Sequence, residues 1–544
     1  MNKVAHYLQE HLLGEVSVSQ DVRRHFAHDG SIFELLPQVV IYPKNEDDVR
    51  KTARFGWQLA ERERRIGITA RGGGSDTSGA AIGAGILLVF TAHMNKLLKL
   101  DLKNGLAIVE PGITYAALQQ TLHSHGWFLP PYPESQQYAT VGGGLANNAS
   151  GEKSVKYGAS LNYVRQLRLV LANGDVIETH RLGRRELSHK MGQSDMEGEI
   201  YRAVDALLEE NAELIEQAGS QLKAKHRAAG YNLFDVRGQD GGLDLTPLII
   251  GSQGTLGIIT EATLELMPHS PIRHLALIGL ESSNDLEQVL PKILELKPSA
   301  FEMINRTAID EVKSLNPNYF KGLDLPPADI YLLVEFDDLK EADQKESTKK
   351  LEQIVNRADG HYQLAESEAD QDRLWQIRHS VSVIMTHPRG QAKAVPVAED
   401  ISVPTDKLAE FLHRASKIYK ASGLAPAMWG RAGDGVVLMQ PVLNIGNLGG
   451  RQKLFRISEE LYDLAIELGG AISGGHNDGR QRGPYLKKMF GEETYSLMEK
   501  VKQIFDPHGV LNPGVKIGVS LDDAKALLRT DYNHGSRHQH LPRS

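Results

Sequence analysis

The chain opens with apolar residues at helical spacing in MNKVAHYLQEHLLGEV, with Glu10 and His11 set among them. That pattern predicts an amphipathic helix rather than a signal peptide, and residues 1–35 read as a helical preface. Pro37 to Tyr42 is a short β-rich run. Pro43-Lys44-Asn45 then starts a helix carrying Val49, Ala53, Trp57 and Leu59 at near-helical spacing. Two short apolar runs, Ile66 to Ala70 and Gly85 to Thr91, read as buried strands. Asn95 to Leu100 and Leu106 to Val109 predict a hairpin, Glu110-Pro111-Gly112 breaks the chain, and Tyr115 to Gly126 is helical. Elements alternating in this way predict an α/β or α+β domain.

From Arg273 the texture changes. Leu275 to Gly279, Ala300 to Ile304, Ile330 to Phe336, Ile401 to Val403, Ala425 to Trp429 and Val436 to Pro441 read as strands. Asn284 to Leu296, Leu339 to Ala358 and Thr405 to Ser422 read as helices between them, the last with Thr405 as its cap. Repeated βαβ units beside an antiparallel sheet predict a ferredoxin-like layer. Asp522 to Arg529 reads as a short helix ahead of a tail.

Composition narrows the choices. At 544 residues the chain is too long for one core, which predicts two or three domains. With 41% hydrophobic and 24% charged residues it is globular in type, and a formal charge of −8 argues against a nucleic-acid partner. There is no cysteine, so disulfides, thiolate-held zinc, iron–sulfur clusters and cysteine catalysis are excluded within this chain. The longest apolar run, Ala84 to Ala92, is far too short to span a bilayer. The expectation is a soluble, cytoplasmic protein.

Three glycine-rich stretches interrupt the pattern. Ala70 to Ala81 reads ARGGGSDTSGAA, in which consecutive glycines can turn their backbone N–H groups toward one anion while Ser75, Thr77 and Ser78 add short donors. It is neither a Walker loop nor a G-x-G-x-x-G turn. Thr140 to Ser160 reads TVGGGLANNASGEKSVKYGAS, and Gly251 to Glu261 reads GSQGTLGIITE. A long dinucleotide needs several such close backbone approaches along its length.

The three loops, with Phe505-Asp506-Pro507-His508-Gly509-Val510-Leu511-Asn512-Pro513-Gly514, resemble the FAD-binding domain of the vanillyl-alcohol-oxidase/PCMH flavoprotein superfamily. Gln253 stands where that family usually has glutamate. The resemblance implies an α+β fold, with a two-subdomain PCMH-type FAD-binding domain over 36–270 and a ferredoxin-like α+β cap over 271–480. Residues 481–517 would return to the FAD domain, and 518–544 would form a partly disordered tail. It implies FAD contacts from Arg71, Gly72, Gly73, Gly74, Ser75, Asp76, Thr77 and Ser78 in the first loop. The second would supply Thr140, Gly143, Gly144, Asn147, Ser150, Gly151, Tyr157 and Gly158. Gly254, Thr255, Gly257, Ile258 and Ile259 would follow from the third, and Asn512 from the closing motif. The first loop has no nearby histidine for a covalent link, so FAD is expected to bind non-covalently; His93 reads as a solvated strand-end residue.

In the second half, Leu374-Trp375-Gln376-Ile377-Arg378, Lys393, Glu399-Asp400-Ile401-Ser402-Val403-Pro404, Gly433-Asp434-Gly435 and Ser473-Gly474-Gly475-His476 fall in the order seen in the D-2-hydroxyacid dehydrogenases. This resemblance implies oxidation of a small D-2-hydroxy acid to a 2-oxo acid by hydride transfer to flavin N5. Arg378 would clamp the carboxylate through its planar fork, Lys393 would assist, Trp375 and Gln440 would contact substrate, and His476 would be the base. The metal-binding members read H-x-G-D-G-N-x-H and S-G-E-H, whereas here Arg431, Leu438 and Gly475 stand at the ligand positions. No metal is expected. Arg431 would instead polarise the substrate oxygen or bind a second carboxylate, its other reading being a structural pair with Asp434. The loop Asn477-Asp478-Gly479-Arg480-Gln481-Arg482 places an acid and two arginines beside the expected site, which points to a different, larger or more anionic acid, or to a site altered beyond hydroxy acids. His534, His538 and His540 read as a disordered tail. Oxygen, a quinone, a carrier protein or a separate subunit would take the electrons, and a homodimer is compatible. The alternatives are a flavin oxidase or dehydrogenase of another alcohol or sugar, and a flavoprotein subunit of an electron-transfer complex.

Overall fold

A computed structural model of the chain describes residues 3–323, 325–386, 392–396 and 398–529. Val39–Tyr42, Ile86–Val89 and Ile68–Arg71 lie parallel in a four-stranded sheet. Their near-continuous apolar runs are those of strands covered on both faces. Helix Glu46–Ala60 crosses between them, capped by the Asn45 side chain, which accepts from the Asp48 N–H at 3.1 Å. It packs so closely that a Cβ on Gly56 would come within 2.7 Å of Ile68 Cδ1.

The preface is not helical throughout. Helices Lys3–His11 and Gln20–His25 flank strand Glu15–Ser17, which extends the parallel sheet as an antiparallel edge on Val39–Tyr42. The buried Asp48 carboxylate accepts from the backbone N–H groups of Leu13 and Gly14 at 2.8 and 2.9 Å, which ties the arm to the sheet. At the opposite edge Asn512 donates its N–H to the Ile68 carbonyl, and Ile68 donates to Val510, so the end of the chain lies along strand Ile68–Arg71.

The expected hairpin, Leu97–Asp101 with Leu106–Val109, forms one edge of a five-stranded antiparallel sheet completed by Ile258–Glu265, Val164–Val170 and Val176–Thr179. The third glycine loop therefore feeds the central strand of this sheet.

Residues from His274 onward build a seven-stranded antiparallel sheet, in the order His361–Leu364, His274–Leu280, Ile330–Phe336, Ala300–Asn305, Ala427–Arg431, Val436–Gln440 and Ile401–Ser402. Side chains alternate between its faces. Ala276, Ile278, Phe301, Met303, Val437 and Met439 join one core with helices Ser283–Glu295, Glu341–Asn356 and Leu408–Ala421. Leu275, Leu277, Ile304, Trp429, Val436 and Leu438 join a second with helices Arg306–Leu315 and Glu368–His379. Period two thus places Glu302, Trp429, Arg431, Leu438 and Gln440 on this second face. Thr405 is not the helix cap. Thr405–Lys407 forms a 3₁₀ turn, and the α-helix starts only at Leu408 without a side-chain cap bond. Among the described residues no helix is long and apolar enough to cross a membrane.

Candidate active site

The three glycine loops converge on one cavity of about 890 Å³, walled on the other side by the second face of the cap sheet. That volume is near the top of the ~300–1,000 Å³ range of small-molecule sites. Polar side chains stitch the loops together. Asp76 accepts from the N–H groups of Ser78 and Ala80 at 3.0 and 2.9 Å, which closes the first loop on itself. Asn147 of the second loop donates to Asp76 at 3.1 Å, and Gln253 of the third donates to Asn147 and to Ser78, both at 3.0 Å. Gln253 also accepts from the Gly479 N–H at 2.8 Å, so its amide serves as donor and acceptor, which a glutamate could not. A Cβ on Gly72 would fall 2.0 Å from Thr140 Oγ1, so only glycine lets the first two loops touch.

The residues present fit FAD. Gly254, with φ +70°, and Gly143 expose bare backbone to the cavity. A Cβ there would meet no atom nearer than 3.9 Å at Gly254 and only the Thr140 hydroxyl, 3.2 Å away, at Gly143. The Arg71 guanidinium lies buried 5.3 Å from the Phe26 ring, its Nε without a hydrogen-bond partner, and burial pulls its pKa down to about 10. A buried cation beside converging N–H groups suits a pyrophosphate. Of the residues expected to touch FAD, all line the cavity except Ser78, Tyr157, Gly158, Thr255 and Asn512. Ser78 bonds Asp76, Tyr157 donates to Asp337 in the cap at 3.1 Å, and Gly158 turns the chain at φ +83°. Thr255 donates to the Ser252 carbonyl at 2.6 Å, and Asn512 donates to the carbonyls of Ala80 and Gln253. Each holds a loop in place rather than facing its contents. His93 pairs with Glu15 at 2.6 Å, away from the cavity.

Opposite the loops, His476, Arg378, Lys393, Arg431 and Gln440 all line the same cavity. The His476 ring is positioned by two adjacent carboxylates. Asp400, at φ +62°, accepts with one oxygen from the Ser473 hydroxyl and from the N–H groups of Gly474, Gly475 and His476 at 2.7–2.9 Å, which fixes the loop. Glu399 lies 3.1 Å from His476 Nδ1 and Thr77 lies 3.2 Å from it, leaving Nε2 for the cavity. Burial disfavours the imidazolium, but Asp400 and Glu399 outweigh it and hold the His476 pKa above its ordinary value. Glu399 is held low, His476 and Arg482 overcoming its own burial.

Arg378 is buried at the end of helix Glu368–His379. Its Nε donates to Glu302 at 2.5 Å, Nη2 lies 3.0 Å from Glu134, and Nη1 has no hydrogen-bond partner among the described residues. Glu302, directly cross-strand from Arg431, has one unpartnered oxygen and a pKa pushed by burial up to about 7. Arg431 lines the cavity, donating to Ser150 at 3.0 Å, and lies 3.5 Å from Asp434. A Cβ on Gly475 would come 2.8 Å from Ser150 Oγ and 3.6 Å from Arg431 Nη2, so the glycine keeps the space that Arg431 uses. Among the described residues no group of three His, Cys, Asp or Glu could hold a metal.

Two expectations do not survive. Trp375 lies behind the site, its indole N–H 3.4 Å from Glu335 and its ring stacked on His379, and does not line the cavity. Although i,i+3 spacing sets it on the same flank of the helix as Arg378, the indole packs into the cap core. Asp478, Arg480 and Arg482 do not face the site either. Asp478 pairs with Lys516, Arg480 donates to the carbonyls of Gly514 and Ile82, and Arg482 donates to those of Asn477 and Glu399. They are buried ties between segments, and no specificity follows from them. His534, His538 and His540 lie outside the described residues. Glu134 and Glu302 escaped notice, although a glutamate inside the apolar run Ala300 to Ile304 is itself a signal, since buried carboxylates need partners.

The cavity thus sets dinucleotide-sized glycine loops opposite a histidine and an arginine fork. Residues 37–180 match the FAD binding domain, and residues 271–515 match the family of FAD linked oxidases, C-terminal domain. A D-2-hydroxyglutarate dehydrogenase from Pantoea ananatis is 28% identical over 97% of this chain and 52% of its own length. The glycolate oxidase subunit GlcD of Bacillus subtilis is 28% identical over 89% of each chain. The chain spans about half the length of the D-2-hydroxyglutarate dehydrogenases it matches. Among solved structures, 4-ethylphenol oxidase from Gulosibacter chungangensis superposes with a TM-score of 0.68 at 16% identity, covering 95% of this chain and 96% of that one, a likeness of fold.

Proposed function

We propose that the chain oxidises a small D-2-hydroxy acid to the 2-oxo acid, using non-covalently bound FAD and no metal ion. The observation that carries this reading is the juxtaposition of His476, backed by Glu399, with the buried fork of Arg378 in one cavity facing the glycine loops. Arg71 and the backbone N–H groups of Gly72–Gly74, Gly143 and Gly254 would hold the dinucleotide. Bound FAD supplies a two-electron acceptor for the hydride of the substrate α-carbon at its N5. Arg378 and Lys393 bind the carboxylate and fix which hydrogen is presented. His476 Nε2 takes the hydroxyl proton, and Glu399 stabilises the imidazolium that results. Arg431 stabilises negative charge developing on the substrate oxygen, a cation standing where a Lewis acid would serve. Asp434, itself paired with Lys225 and His226, holds that arginine from behind. The test is turnover of a panel of D- and L-2-hydroxy acids with an artificial dye. A 2-oxo acid formed from a D-isomer, and lost in His476→Ala, is expected; equal turnover of L-isomers or neutral alcohols would refute the reading.

One observation favours a second reading, a flavoprotein subunit with little activity alone. One relative that the chain matches over 89% of both lengths carries the word subunit in its name, and the D-2-hydroxyglutarate dehydrogenases are about twice as long. Steady dye-linked turnover by the lone chain would exclude it.

A further inference from the structure

Arg378 carries three groups that can donate, and they are not equivalent. Nε is held by Glu302, whose side chain is about 1% exposed and sits mid-strand in the cap sheet, its register fixed by pairing on both sides. That contact cannot open without disturbing the sheet. Among the described residues Nη1 has no hydrogen-bond partner although it is buried. Nη2 faces Glu134, whose side chain is 31% exposed and belongs to the 129–139 connection on the FAD-binding side of the cavity. Nη1 and Nη2 form the end of the guanidinium, the edge that takes a carboxylate by two parallel hydrogen bonds. Half of this fork is vacant and the other half is occupied by a carboxylate of the chain itself.

We propose that Glu134 is the resting counter-ion of Arg378, and that the substrate carboxylate replaces it on Nη2 while also engaging Nη1. This rests on the reading of Arg378 as the carboxylate clamp. Without substrate, Glu134 helps Glu302 offset a buried cation, which would otherwise be costly. With substrate, the incoming anion restores the same charge balance, and Glu134 turns to solvent through its open side. Glu152 and Arg431 also act on Glu302, and His379 pairs with Glu152 at 2.7 Å, so the pocket keeps its other charges in both states. Glu134 therefore weakens the binding of every carboxylate by the cost of its own displacement and eases release of the 2-oxo acid. It sets affinity for the acid function without touching the reacting carbon.

Oxalate, a dianion with no oxidisable C–H bond, is the probe, titrated by calorimetry into the FAD-loaded protein. Glu134→Gln and Glu134→Ala should each bind it about three- to tenfold more tightly than wild type, as expected for removing a competitor held by a half-open ion pair. Binding of the neutral propane-1,2-diol should not change. Arg378→Ala should lose oxalate binding. If Arg378→Ala binds oxalate as wild type does, the clamp fails and the exchange fails with it. If Arg378→Ala loses oxalate but both Glu134 variants bind it no more tightly than wild type, the clamp stands and the exchange is refuted.

Discussion

Glu399→Gln should move the pH profile of substrate oxidation toward acid. The Glu399 carboxylate lies 3.1 Å from His476 Nδ1, and His476 has a pKa above its ordinary value. A base must be neutral to accept a proton, so the wild-type rate rises with pH as the ring loses its proton through that elevated pKa. Unit charges ~4 Å apart attract by about 4 kcal/mol at an effective dielectric near 20, and such neighbours displace a pKa by ~1–3 units. Glu399 divides its charge, accepting from Gln440 at 2.9 Å with Arg482 3.9 Å away, and Asp400 remains in the variant. The lower part of that range applies, an acid shift of about 1 to 1.5 units. Burial, which favours the neutral ring, then has only Asp400 opposing it. The plateau should also fall about 10- to 100-fold, because the amide keeps a hydrogen bond but no longer balances the imidazolium. Anaerobic stopped-flow measurement of flavin reduction at saturating acid across pH reads both quantities. A limb that stays in place or moves toward base would refute the His476–Glu399 pairing as the proton acceptor.

Asp400→Asn should destabilise the protein by about 2–3 kcal/mol in urea unfolding and slow flavin reduction, because one buried oxygen accepts four hydrogen bonds from residues 473–476. Gly254→Val should weaken FAD about tenfold or more in a fluorescence titration, since the side chain enters the cavity from a backbone at φ +70°. Arg431→Ala should lower the rate of flavin reduction more than it raises KM; unchanged turnover and affinity would leave Arg431 only its structural pair with Asp434. Trp375→Phe should leave KM unchanged, because the indole lies outside the cavity.

The parts of the fold legible in the sequence are those with a local cause. Glycine triplets announce close backbone approaches, and the apolar runs of Val39–Tyr42 and Ile86–Val89 announce strands, whose parallel pairing only the fold supplies. The cap strands are legible as apolar runs, and their alternation in the sheet is why Arg431 and Gln440 share a face with Glu302. What escaped depends on tertiary partners. Strand Glu15–Ser17 is three residues long and exists because Asp48 and Val39–Tyr42 receive it. Thr405 has the chemistry of a cap, yet Pro404 leads into a 3₁₀ turn first. Trp375 and Arg378 are neighbours in sequence with opposite destinations, one in the core and one in the cavity. Charged residues in 477–482 resemble a specificity loop, but Arg480 and Arg482 are taken up by backbone carbonyls and Asp478 by Lys516. Glu134 carries no signal of its own, since its importance lies wholly in what Arg378 offers it.

The most direct measurement is the flavin absorbance of the FAD-loaded chain during anaerobic addition of D- and L-2-hydroxy acids. The predicted result is bleaching by a D-acid and not by its L-isomer, slowed strongly in His476→Ala and with raised KM in Arg378→Lys. A bound flavin that no 2-hydroxy acid reduces would contradict the assignment of this cavity to hydroxy-acid oxidation.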